Sequence, residues 1–245
     1  MNNLDEKKNT DDQHGGYWTN NYYRAKNYLS HMLSKPHIFT TSSCYLLGVC
    51  YHDINKEEEN DYYLYLMKSW QSLIWCTYRN NMPQIQPSLY HTDAGWGCML
   101  RSAQMIMSQA LIRHILGINF SYYHICHPTT SMHYKQRTLY QQILLQFIDI
   151  NPILSNNTHV HPTALFGLHH LLQYRHCINK KIGDWFGPTD VCILLKKSLK
   201  YAHAHQSQQQ HHTLMKNLCL INAENGVLYF NHIMQACTEK SPQKH

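Results

Sequence analysis

The chain has 245 residues, 43% of them hydrophobic and 15% charged, which excludes a disordered chain and suits one large folded domain or two small ones. The formal charge is +6 and the pI about 8.8, yet the 21 Lys and Arg are scattered with no run of five, which argues against nucleic-acid binding. Nine cysteines, with no CxxC pair, and a polar Met1–Gly16 segment without an apolar core point to a cytoplasmic protein with reduced thiols, no secretory leader and no membrane span.

In chain order, residues 1–22 are polar and rich in Asn and Asp, and read as a disordered leader. The folded domain is expected over 23–237. Tyr23 to Leu33 suits a short helix, and the apolar run Cys44 to Cys50 a strand. Glu57-Glu58-Glu59 opens a helical stretch expected to reach Tyr78, with Met82-Pro83 as its stop. Gln84 to Gly97 is a loop. From Cys98 to about Leu116 apolar residues cover most of the helical circumference, predicting a central, buried helix capped by Gly117.

Tyr122 to Tyr134 is a His-rich connector, followed by an amphipathic helix from Leu139 to Ile148. Ala164 to Tyr174 is expected to be helical, Gly183 to Pro188 a loop, and Thr189 the cap of a helix through Leu199. Residues 201–212 form a His/Gln-rich insertion. Leu214 to Asn222 and Val227 to Phe230 read as strands around an Asn225-Gly226 turn, and 238–245 as a polar tail. Helices first and strands last suggest an α+β architecture.

Cys98 draws the chemistry. It stands at a helix start, directly after Gly95-Trp96-Gly97. There the macrodipole and the unpaired first-turn N–H groups favour a thiolate. The flanking glycines permit tight backbone geometry and leave the thiol and its N–H approachable, as oxyanion stabilisation in acyl transfer requires.

Thr92-Asp93-Ala94-Gly95-Trp96-Gly97-Cys98-Met99-Leu100-Arg101-Ser102 resembles the nucleophile segment of the autophagins, papain-like cysteine proteases that process the ubiquitin-like modifiers of autophagy. Three further blocks extend the resemblance. Cys76 to Pro83 is similar to the family's Thr-Tyr-Arg block. Ile182 to Pro188, with Val191 to Leu199, is similar to its tryptophan loop and following helix. Tyr45 to Gly48 is similar to its first core strand. The blocks lie in the family's order and span about residues 40 to 235.

The resemblance implies a papain-like α+β domain with a central helix starting at the nucleophile and packed on an antiparallel sheet. It implies Cys98 as nucleophile, the Tyr78 hydroxyl beside the Cys98 N–H in the oxyanion site, and Trp185 over the cleft, where it helps gate a glycine-ended substrate tail. The implied reaction is cleavage after the C-terminal glycine of a ubiquitin-like modifier, and release of the same modifier from phosphatidylethanolamine. The implied partners are the modifier's free precursor and its lipid-conjugated form, with membrane contact only through the lipidated substrate. No cofactor is expected.

A thiol protease also needs a general base, and in this family it belongs to an Asp-Pro-His motif. None occurs here; the one Asp-x-His is Asp12-Gln13-His14, in the leader. The expectation is a domain lacking its C-terminal part, and weak or no cleavage by this chain alone. His124, His127, His169, His170, His176, His211 and His212 are available, but nothing singles one out as the base. The alternative is an inactive relative that only binds the modifier. Metal binding is not expected, because Cys126-His127 and His176-Cys177 lack the spacing of a zinc site.

Overall fold

A computed structural model describes residues 43–51, 61–126, 130–149, 164–204, 214–215, 217–223 and 226–238. The expected leader, the helix from Tyr23 to Leu33, residues 205–212 of the His/Gln tract and 239–245 of the tail lie outside the described residues.

The apolar run at Cys44 folds as a hairpin, not a single strand. Strand β1 (Cys44–Leu46) pairs antiparallel with β2 (Val49–Tyr51), with Tyr45 opposite Cys50. Leu47 and Gly48 turn the chain with φ of 52° and 84°, the double positive φ that a two-residue hairpin turn needs and that glycine adopts readily.

Helix α1 (Asp61–Gln71) packs under this hairpin and ends well short of Tyr78. Ser72 ends it. Its hydroxyl donates back to the Lys68 carbonyl at 2.7 Å and accepts the Tyr122 N–H at 2.9 Å. The following Ile74-Trp75-Cys76-Thr77-Tyr78 carries no regular structure. Its β-branched and aromatic residues favour extended backbone over helix.

Helix α2 (Cys98–Ile115) matches its predicted bounds. Its buried positions are Leu100, Arg101, Ala103, Gln104, Met107, Ser108, Leu111 and Ile112, one face at helical spacing. The expectation of burial all round is corrected: Ile106, on the opposite side, is 72% exposed. Short α3 (Tyr122–Cys126) leads to α4 (Ser131–Leu145), which starts earlier than Leu139 because the Thr130 hydroxyl caps it, accepting the His133 N–H.

Helix α5 (Leu168–Leu171) runs into a 3-10 segment (Leu172–Ile178). Helix α6 (Pro188–Ala204) begins one residue before the predicted cap at Thr189. Pro188 suits a first helical position, and the Asp190 carboxylate reaches back to the Gly187 N–H at 2.8 Å. The helix also takes in Tyr201 to Ala204, so the His/Gln tract does not begin at 201.

Two predicted strands do not form. Leu214 and Met215 make a 3-10 turn, 218–223 run irregularly, and Phe230 opens helix α7 (Phe230–Thr238). Phe230, Ile233, Met234 and Cys237 share one helical face, and that period prevails where, among the described residues, no neighbouring strand offers a ladder.

The architecture is thus α+β, with the two-stranded hairpin as the sheet among the described residues. One core gathers the buried face of α2 with α4, α5 and α6, centred on Leu100, Leu111, Ile143, Phe166, Leu168 and Leu194. The hairpin and α1 share a smaller cluster, Tyr51 and Leu66. Arg113, in the last turn of α2, ties the two by donating to the Leu47 carbonyl at 2.8 Å.

Leu111 is fully buried. Leu111→Ala removes packed methyl groups and leaves a cavity, so it should lower stability by about 2–5 kcal/mol. The measure is the urea midpoint of the purified chain.

Candidate active site

Helix α2 starts without a side-chain cap. Gly97 stands at its N-cap, and its N–H donates to the Asp93 carbonyl at 2.8 Å. Cys98 is the first helical residue and is exposed. A Cβ at Gly97 would lie 2.6 Å from an Asp93 carboxylate oxygen, so the chain can fold this tightly only with glycine there.

Asp93 is fully buried and binds three ways. One carboxylate oxygen accepts the Arg79 N–H at 2.7 Å and the other accepts Arg101 Nε at 2.6 Å. The main-chain carbonyl takes Gly97 as above, and the Trp96 N–H at 3.3 Å. Arg101 also donates through Nη1 to Asp149 at 2.9 Å and to Gln104 at 3.0 Å. Gln104 in turn donates to the Phe166 carbonyl at 2.7 Å. Burial alone would push the Arg101 guanidinium toward neutrality, but the Asp93 hydrogen bond and the two carboxylate charges outweigh it and raise its pKa above the ordinary value.

Tyr78 precedes Arg79 and so shares this anchorage. Its side chain lines the same groove as Cys98. Burial, the nearby Cys98 and Asp93 charges and a polar interaction with the Cys98 thiol all push the phenol up, so it stays an O–H donor at neutral pH. Cys76 lies deeper, and burial pushes its thiol up as well. That leaves Cys98 as the accessible thiol of the pair.

Trp185 arrives from the loop before α6. Its indole Nε1 donates to the Gly95 carbonyl at 2.9 Å, with the ring 65% exposed. Its neighbour Phe186 is buried and faces Trp96 at 6.3 Å between ring centroids. Trp96 also meets Tyr90 edge-on at 5.9 Å and donates Nε1 to the Thr92 carbonyl at 3.1 Å. Cys98, Tyr78 and Trp185 therefore converge on the Gly95–Cys98 turn.

An apolar groove of about 760 Å³ opens beside Cys98. It runs between Leu73–Tyr78 and the uncovered face of α2, from Cys98 and Ser102 through Met105 and Ile106 to Arg113. Among the described residues no histidine lines it. His169 and His170 lie on α5, both buried, with His169 Nε2 donating to the Pro83 carbonyl at 2.7 Å. His170 is enclosed by the rings of Tyr174 and Tyr201, and burial lowers its pKa to about 4. Among the described residues no helix is long and apolar enough to cross a membrane, and no three or more His, Cys, Asp and Glu gather as metal ligands would.

Residues 64–245 match the peptidase C54 catalytic domain. The chain belongs to the peptidase C54 family. It is 28% identical over 218 residues to the human (Homo sapiens) cysteine protease ATG4C, covering 69% of this chain and 48% of that protein. It is 29% identical over 212 residues to ATG4C of Xenopus tropicalis, covering 68% and 47%. With ATG4C of Mus musculus it shares 27% over 265 residues, covering 84% and 54%. The chain spans about half the length of these curated relatives. Its α+β fold is the papain-like fold of the peptidase C54 family, with a helix that starts at a cysteine. The buried Asp93–Arg101–Asp149 network was not read from the sequence. Asp93 and Arg101 flank the nucleophile motif and could have suggested a pair, but Asp149 carries no local signal.

His170 gives the protein a specific acid sensitivity. Its folded pKa of about 4 lies below the ordinary 6.5, so protonation favours the unfolded chain. The stability it permits is complete above about pH 6.5 and is lost as the pH falls toward 4. Unfolding free energy should drop by about 2–3 kcal/mol over that window from this group. His170→Gln should flatten that part of the pH dependence, read from urea midpoints at each pH.

Proposed function

We propose that this chain carries the nucleophile half of a thiol peptidase that acts on ubiquitin-like autophagy modifiers. The observation that carries this reading is the convergence of Tyr78 and Trp185 on an exposed cysteine at the uncapped start of α2, in a chain of the peptidase C54 family.

Family membership and the geometry support the following chemistry. The Cys98 thiolate attacks the carbonyl carbon of the modifier's C-terminal glycine. Charge develops on the carbonyl oxygen, where the Cys98 N–H and the Tyr78 hydroxyl are the available donors. The C–N bond breaks, the amine leaves with a proton, and the glycine remains as a thioester on Sγ. Water then releases the glycine carboxylate and restores the thiol. An amide to phosphatidylethanolamine breaks by the same steps, which would free the modifier from its lipid. Trp185, over the Gly95 carbonyl, flanks the path of the glycine-ended tail. The expected setting is the cytoplasm, with the membrane touched only through the lipidated substrate.

Proton transfer is what the described residues do not supply. No histidine among them lines the groove, and the 245 residues contain no Asp-Pro-His. A general base contributes on the order of 10²–10⁴-fold, so the chain alone should cleave a glycine-ended modifier precursor slowly or not at all. Robust cleavage that is abolished by Cys98→Ala would overturn that expectation and reveal another base. The nucleophile assignment is tested separately, with a modifier carrying an electrophile in place of its C-terminal carboxylate. It should form one covalent adduct at Cys98 and none with Cys98→Ala. Binding without an adduct favours a relative that holds the modifier but does not cleave it.

A further inference from the structure

We propose that Thr92 and Asp93 form a positioning latch that sets the Tyr78 hydroxyl against the Cys98 thiol. The inference rests on reading Cys98 as the nucleophile.

Both main-chain groups of Arg79, the residue after Tyr78, are held by this latch. Its N–H donates to Asp93 Oδ1 at 2.7 Å, and its carbonyl accepts the Thr92 hydroxyl at 2.8 Å. The same Asp93 grips the nucleophile helix at two points. Oδ2 accepts Arg101 Nε, one turn beyond Cys98, and the main-chain carbonyl accepts the Gly97 N–H immediately before it. One buried residue thus joins the residue after Tyr78 to Arg101 through its carboxylate and to Gly97 through its main-chain carbonyl. Asp149 does not close the same link: it reaches Arg101 at 2.9 Å but only approaches the half-exposed Arg79 side chain, at 3.9 Å.

The arrangement has a mechanical meaning. The Ile74–Tyr78 segment has no regular structure and borders an open groove; Ile74 and Cys76 pack inward, but Tyr78 is 39% exposed, so little packing fixes its own ring. A shift of about 1 Å removes a catalytic hydrogen bond at large cost in rate. The latch removes that freedom at the residue next to Tyr78. Asp93 is therefore a positioning residue: it acts on the thiol through Tyr78 and touches no reacting atom.

The test reads the thiol directly and needs no peptidase turnover. Alkylation of Cys98 by iodoacetamide is followed by site-resolved mass spectrometry from about pH 6 to about pH 9, where thiolate content sets the rate. Tyr78→Phe should move the midpoint of the profile upward and slow alkylation near neutrality about three- to tenfold, as expected for loss of one half-exposed hydrogen bond of ordinary net strength. Asp93→Asn should do the same although Tyr78 is intact, and Asp93→Asn combined with Tyr78→Phe should add nothing further. Ser198→Ala, which loses a buried hydrogen bond to the Leu165 carbonyl, is the control: it should lower the urea midpoint and leave the profile in place.

A wild-type profile in Tyr78→Phe or in Asp93→Asn, or additive effects in the double variant, overturns the proposal. If Asp93→Asn does not fold, Thr92→Val decides. It should shift the profile in the same direction by a smaller amount, and an unchanged profile overturns the latch. Failure of the peptidase reading looks different: the alkylation pattern holds, but the electrophilic modifier leaves Cys98 unlabelled.

Discussion

The buried pairing of Asp93 with Arg101 fixes where helix α2 begins, and the candidate site depends on that start. Removing two ions from water costs several kcal/mol each, and their attraction compensates only when the remaining polar atoms are also satisfied. Here the second Asp93 oxygen takes a main-chain N–H, and Arg101 Nη1 takes a second carboxylate and an amide oxygen, so that only Nη2 of the guanidinium is left without a partner. Gly97 is the steric condition for this, since a side chain there would occupy the space of the Asp93 carboxylate. Removing Arg101 would leave Asp93 buried without its counter-ion, a loss of about 3–5 kcal/mol, whereas Arg101 without Asp93 would still face Asp149. The loop from Thr92 to Gly97 and the first turns of α2 are consequently one rigid piece.

From that piece α2 extends with two unlike faces. One is packed to completion against α4 and α6, with Leu100 and Leu111 sealed from solvent. The other lines the groove, where Ile106 and Trp75 stay largely open to water. Cys98 sits at the end of the boundary between them. Its backbone is as fixed as the core, while its thiol faces solvent. A reactive residue on a rigid element combines precise placement with access.

Much of this was legible in the sequence, for identifiable reasons. The bounds of α2 follow from a long apolar period set between two glycines. The site followed from local motifs around Tyr78, Cys98 and Trp185, and the structure brings those three together. The errors arose where local signals competed. The Trp70–Tyr78 region continues an apolar pattern, but Ile74, Trp75, Thr77 and Tyr78 are β-branched or aromatic, and the Ser72 hydroxyl bond to Lys68 marks the stop. Phe230 reads as the end of a strand until Ile233, Met234 and Cys237 are seen to share its helical face. The ion network was not legible: Asp149 lies far from Arg101 in sequence, and only the packing of α2 on α4 brings them together.

The two tryptophans at the turn divide the remaining work. Trp96 is 2% exposed, wedged between Tyr90 and Phe186 and hydrogen-bonded to the Thr92 carbonyl. Displacing it would expose most of a large ring and open the core, at several kcal/mol. Trp185 is 65% exposed and held to the Gly95 carbonyl by its indole N–H. A bond of that kind contributes about 0.5–1.5 kcal/mol net. Burial of the adjacent Phe186 anchors the loop regardless of where the Trp185 ring lies. The Trp185 ring can therefore be displaced at small cost while the turn carrying Cys98 stays in place. The ring beside the thiol can move, and the backbone beneath it cannot.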